Sequence, residues 1–115
     1  MKILVCGSRT WNNYWVIYDI LSKLNRDSVV IHGNARGVDI MAGTIASKLG
    51  MKVISVAAEW SKYGKIAGPI RNRAMLNMNP DLVIAFHNNI ENSKGTKDCI
   101  KEAEKRGIEV KLVSV

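Results

Sequence analysis

Cysteine is scarce in this chain: the two it has, Cys6 and Cys99, stand far apart in the sequence. Neither has metal-ligand or redox spacing, so a disulfide scaffold or a zinc-binding module is not expected. They read as buried or half-buried reduced thiols in a cytoplasmic protein. Aromatic residues make up only 6%, and no basic stretch interleaves them as a platform for single-stranded nucleic acid would. No apolar run approaches the roughly 20 residues that cross a bilayer, so no membrane partner is expected. The first apolar run, Ile3 to Cys6, is too short for a signal-peptide core and leads straight into Gly7. There is no linker, internal repeat or low-complexity tract.

What is present is an ordinary globular composition, 47% apolar and 23% charged over 115 residues. That length suits one domain over residues 1–115 with a single core. Short apolar runs recur at Lys2 to Cys6, Ser28 to His32, Lys52 to Val56 and Asp81 to Phe86, and Glu109 to Val115 supplies a last one. They are near-continuous rather than alternating, the pattern of strands covered on both faces. Helical spacing separates them. Val16, Ile17, Ile20, Leu21 and Leu24 mark a first helix, with Asn12 or Asn13 as its cap. Ile40, Met41, Ile45 and Leu49 mark a second, ended by Gly50. Pro69 suits the first turn of a third, with Ile70, Ala74 and Met75 facing inward, and Asn79-Pro80 stops it. Thr96 is placed as the cap of a fourth, with Ile100 and Ala103 on the sheet side and Gly107 closing it. Strands alternating with helices predict a three-layer α/β sandwich around a five-stranded parallel sheet.

In such a sheet the loops at the carboxyl ends of the strands share one edge, where ligands bind. Here those loops carry Gly7-Ser8-Arg9, then Gly33 through Asp39, then Glu59-Trp60 through Gly68 and Arg71-Asn72, then Gly95-Thr96. Glycines and polar residues repeated along one edge point to a nucleotide-like ligand. Arg9 and Arg71 can fork onto phosphate, although Arg9 also suits a salt bridge at the sheet edge. Gly33, Arg36 and Gly37 lead into a helix N-terminus that can hold an anion, or they serve only a tight turn. Asp39 in the first turn of that helix offsets its dipole. Trp60 stacks on a base, lids the site, or anchors its own loop in the core. Asn72 hydrogen-bonds a base or the loop itself. His32 and His87, at strand ends, read as scaffolding, since no metal-ligand set accompanies either. No metal or cofactor is called for.

The motifs Gly7-x-Arg9, His32-Gly-x-Ala-x-Gly-x-Asp39, Ala58-Glu-Trp60, Gly64-x-x-Ala-Gly-x-x-Arg-Asn72, Asp81-x-x-x-Ala-Phe86 and Gly95-Thr96 resemble the YspA-related branch of the SLOG superfamily. The resemblance runs in order over nearly the whole chain. It implies a Rossmann-like fold, strand order 3-2-1-4-5, that senses or processes nucleotide-derived or ADP-ribose-like ligands. It also implies contact between Asp39 and a ribose hydroxyl. Related branches include cytokinin-activating phosphoribohydrolases, a DNA-processing protein and ligand-sensing domains of antiphage systems. One departure stands out. Where relatives carry Gly-Gly-x-Gly-Thr, this chain has Asn92-Ser-Lys-Gly-Thr96. Where the phosphoribohydrolases place a catalytic glutamate, it has Cys99, with Asp98 one residue early and expected to point elsewhere.

Three functions follow as candidates. The first is a module that senses or sequesters a small nucleotide. The second is an N-glycosidic hydrolase using Asp39 and Glu59, the carboxylates nearest the expected cleft. The third is nucleic-acid binding. The net charge of +7 favours anionic partners, and Lys94, Lys97, Lys101 and Lys105 fall at helical spacing. That stripe reads first as a solvated helix face. For a homodimer, Trp11 and Trp15 are candidate contact residues, with the core preferred for Trp15.

Overall fold

The computed structural model describes residues 1–115. Five strands form one parallel sheet: β1 (Lys2–Gly7), β2 (Val29–His32), β3 (Lys52–Ser55), β4 (Leu82–Phe86) and β5 (Glu109–Val113). Their order is β3-β2-β1-β4-β5. Parallel neighbours need crossovers, and these are supplied by α1 (Tyr14–Ser22), α2 (Val38–Lys48), the short α3 (Trp60–Tyr63) with α4 (Ala67–Leu76), and α5 (Lys94–Lys105). The chain runs outward from β1 to β3 in one direction, then returns past β1 and runs outward through β4 and β5. The reversal lies between β1 and β4.

Alternation along β1 explains the layering. Ile3 and Val5 join the cluster built with Ile17 and Leu21 of α1 and Val38, Ala42 and Ile45 of α2. Leu4 and Cys6 join the opposite cluster, with Met75 and Leu76 of α4 and Cys99 and Ala103 of α5. Each face of the sheet therefore has its own pair of helices, as the apolar runs of β1, β2 and β4 require. The edge strands differ: the side chains of β3 and β5 are half-buried or exposed throughout. No helix is long and apolar enough to cross a membrane.

Local details amend the sequence reading. Asn13 is the cap of α1, its side chain accepting from the Val16 N–H. Ser93 caps α5, its Oγ accepting from the Thr96 N–H at 3.1 Å, so Thr96 lies inside the first turn instead of capping it. Ile40 and Ile70 are exposed, whereas Asn72 is buried on α4. The stretch expected to be irregular between β3 and α4 contains α3 and a 3-10 turn at Gly64–Ile66. Trp11 is buried edge-on to Phe86, and Trp15 is 69% exposed, the reverse of the expected assignment. Both cysteines are free and buried. A thiol–thiol hydrogen bond with Cys99, together with burial, pushes the Cys6 thiol well above its ordinary pKa.

Candidate ligand site

The reversal of strand order leaves a gap where the loops after β1 and β4 diverge, and a cleft of about 670 Å³ opens there. That volume falls within the range of small-molecule sites. Gly7 at the end of β1, with Ser8 and Arg9 after it, forms one wall, together with Asp39 at the start of α2. Gly68, Arg71 and Asn72 of α4 form the second, and Gly95, Thr96 and Asp98 of α5 the third. Cys6 and Met75 give an apolar floor, and Trp60 stands at the rim. The N-terminal turns of α2, α4 and α5 all reach this cleft, so their dipoles favour negative charge inside it.

Side-chain charges act in the same sense. Arg9, Lys65, Arg71 and Lys94 line the cleft against only two carboxylates, Asp39 and Asp98. Arg9 is exposed and forms no ion pair, so the salt-bridge alternative does not hold. Arg71 is tied down: Nη1 donates to the Gly33 carbonyl at 2.6 Å and Nε donates to Asn72 Oδ1 at 3.0 Å. Its guanidinium is thereby held in one orientation before any ligand arrives.

Asp39 is buried, and its Oδ2 accepts from the backbone N–H groups of Gly33 (3.1 Å) and Ala35 (3.3 Å). Burial raises its pKa to about 6, against the opposing pull of those N–H groups and of the Arg71 and Arg9 charges. Asn72 is the bracket of the opposite wall. Its Nδ2 donates to the Gly95 carbonyl (3.2 Å) and to Asp98 Oδ2 (3.1 Å), which joins α4 to the first turn of α5. Arg73 Nη1 lies 3.6 Å from the same Asp98 oxygen. A chain of hydrogen bonds thus runs from Asp39 through Gly33, Arg71 and Asn72 to Asp98.

Residues 1–63 match the family model described as the YspA, cpYpsA-related SLOG family. The chain belongs to that family. The SLOG match covers β1 through α3 and so includes Gly7, Arg9, Asp39 and Trp60. The Gene 61 protein of Mycobacterium phage D29 is 36% identical over 118 residues, covering 95% of this chain and 93% of the phage protein. The X-ray structure of DNA processing protein A (DprA) from Streptococcus pneumoniae superposes with a TM-score of 0.81 over 96% of this chain at 20% identity. This chain spans 49% of that structure, and at that identity the likeness is one of fold.

The SLOG cleft gathers Gly7, Ser8, Arg9, Asp39, Trp60, Gly68, Arg71, Asn72, Gly95 and Thr96 from the predicted set. Gly33, Arg36, Gly37 and Glu59 do not line it. Gly33 receives Arg71. Gly37, at φ +79°, packs against the Ser8 and Arg9 carbonyls, where a Cβ would collide with backbone. Arg36 occupies an exposed loop position outside the lining. Glu59 is largely exposed, 4.0 Å from Lys62 Nζ, so the proposed carboxylate pair is not brought into one cavity. Trp60 is 49% exposed beside Gly68, which excludes its role as a core anchor.

Helical spacing predicts that Asp98 faces elsewhere around the helix, yet it lines the cleft, where Asn72 Nδ2 donates to it and Arg73 lies beside it, both on α4. Its proximity to Thr96 in a helix-initiating turn was the signal. His32 is scaffolding: its Nδ1 accepts from the Asn34 N–H, its ring meets Gly43, and burial lowers its pKa. The lysine stripe of α5 is divided, since Lys94 belongs to the cleft and Lys97 pairs with Glu91 at 2.9 Å.

Proposed function

We propose that this chain binds a small nucleotide-derived anion in the cleft between β1 and β4, as a module that senses or sequesters it. The observation that carries the reading is Arg9: an unpaired guanidinium at a strand end, in a cleft where four cations face two carboxylates. Arg71 adds a second cation, already oriented by Gly33 and Asn72. A phosphate entering here meets fixed charge and helix N-termini without having to order the protein first. Binding without turnover is the preferred form of this reading, because Glu59 lies outside the cleft.

Thermal unfolding against a panel of nucleotides, ADP-ribose-type compounds, cyclic dinucleotides and short oligonucleotides tests it, with Arg9→Ala beside the wild type. A ligand at a hundred times its dissociation constant adds about 2.7 kcal/mol, a shift of several degrees. The expected result is a shift confined to one class of small nucleotide and lost in Arg9→Ala. A shift with oligonucleotides alone, falling steeply with salt, replaces this reading with nucleic-acid binding.

A further inference from the structure

Strand β5 closes one side of the sheet: it pairs with β4 alone, and its other edge is open. The Val113 carbonyl accepts from the His87 N–H, so Val113 turns its backbone groups toward β4. In a parallel ladder these directions alternate along the strand. Glu109 and Lys111 therefore bond inward as well, while Val110 and Leu112 direct their N–H and carbonyl groups to the open edge. The Ile108 carbonyl faces the same way, its N–H being taken by the Ala103 carbonyl.

The side chains on this edge lack partners too. Glu109 and Lys111 are exposed on one face of the strand and take part in no ion pair. Leu112 is 49% exposed on the other face, the one on which Ile108 and Val110 pack against the cluster of Met75 and Cys99.

A second β5 strand running antiparallel about a dyad must set open-edge residues opposite one another. Centred on Glu109 or on Lys111, such pairing puts like charges face to face. Centred on Leu112, it puts both charges opposite valines. Centred on Val110, it sets Glu109 opposite Lys111 twice and Ile108 opposite Leu112 twice. The charged pairs then fall at the non-hydrogen-bonded positions, where side chains approach most closely. The strand carries one charge of each sign, so contact here brings no like charges together although the chain as a whole carries +7. The opposite edge strand, β3, has Lys52 as its single charged residue and offers no such match.

We infer that two copies of this chain associate through antiparallel pairing of their β5 strands, centred on Val110, so that the two sheets become one. No residue of β5 lines the cleft, and the dyad sends the two clefts to opposite edges of the joined sheet, so both stay open. A single strand pair is smaller than the roughly 1,200 Å² of a stable complex, which places the dissociation constant on the order of 10 µM.

Sedimentation velocity over a concentration series tests this with Glu109→Lys, Lys111→Glu and the double variant Glu109→Lys/Lys111→Glu. Each single variant opposes like charges twice and is expected to weaken association at least ~10-fold. An equimolar mixture of the two single variants re-creates opposite-charge pairs and is expected to associate as the wild type does, which also shows that both are folded. The double variant is expected to do the same by itself. A wild type that stays monomeric well above that concentration overturns the inference, and so does a mixture that stays monomeric. A dimer indifferent to both single variants and lost in Trp15→Ala places the contact on α1 and overturns it as well.

Discussion

Arg71 and Gly33, 38 residues apart in the chain, are joined by a 2.6 Å hydrogen bond from the guanidinium to the backbone carbonyl. The contact requires glycine: a Cβ at position 33 would lie 2.7 Å from Arg71 Nη1. A loop glycine that the sequence suggests for phosphate is occupied instead by a side chain of the same site. Gly33 thereby sets where the cation stands.

Gly33→Ala follows directly. The obstructing atoms belong to the end of a flexible side chain, and Gly33 has no left-handed backbone to lose. The variant is expected to fold with under about 1 kcal/mol of lost stability. Arg71 is displaced, and affinity for the cleft ligand falls about tenfold through the lost charge-assisted contact. Adding Gly33→Ala to Arg71→Ala should cost no further affinity, since both act through one group. A large further loss in the double variant would show that Gly33 touches the ligand itself.

Gly37→Ala is expected to behave in the opposite way. At φ +79° the backbone disfavours a side chain, and the added Cβ meets the Ser8 and Arg9 carbonyls, which belong to the backbone. The Ser8 carbonyl also accepts from the Val38 N–H at 3.1 Å, so the collision falls on the joint between β1 and α2. A loss of about 2–4 kcal/mol is expected in denaturant unfolding. A change under about 0.5 kcal/mol would mean that this joint yields freely.

Asp39 predicts a pH dependence. Its folded-state pKa of about 6 lies above the ordinary 3.8, so the folded protein holds this proton more tightly than the unfolded chain does. The stabilisation is full below pH 3.8 and is lost as pH rises to about 6; two units correspond to about 3 kcal/mol. Asp39→Asn cannot ionise, so its stability relative to wild type should rise by about that amount between pH 4 and pH 7. Anionic ligands should bind wild type less tightly above pH 6, where Asp39 gains its charge. A constant difference between the two proteins across this range would contradict an elevated pKa.

Ser93→Ala should cost about 1 kcal/mol, because it removes the acceptor for the Thr96 N–H at the start of α5. Thr96→Ala keeps that bond, which uses the backbone of residue 96, and should not show the loss of a cap. Paired thermal melts decide between the two positions. Equal losses would restore Thr96 as the cap.

The sequence by itself determined the layers, the parallel sheet and the edge on which the site forms. Those depend on local periodicity, on β-branched runs such as Val29 to Ile31, and on glycine and asparagine at the ends of elements. It also pointed to Arg9, Asp39, Arg71 and Asn72, because residues at the carboxyl ends of parallel strands must share an edge. Side-chain partnership across that edge was decided only by the tertiary structure. Asp98 enters the cleft because Asn72 and Arg73 of another helix draw it in, and helical spacing alone sent it away. Glu59 stays outside because α3 begins beside it and turns it toward Lys62. Trp11 is core because β4 brings Phe86 to it, and Trp15 stays on the surface, flanked by Tyr14 and Tyr18 of its own helix. Distances between residues far apart in sequence follow from strand order and helix packing, and a single chain's local pattern carries no record of them.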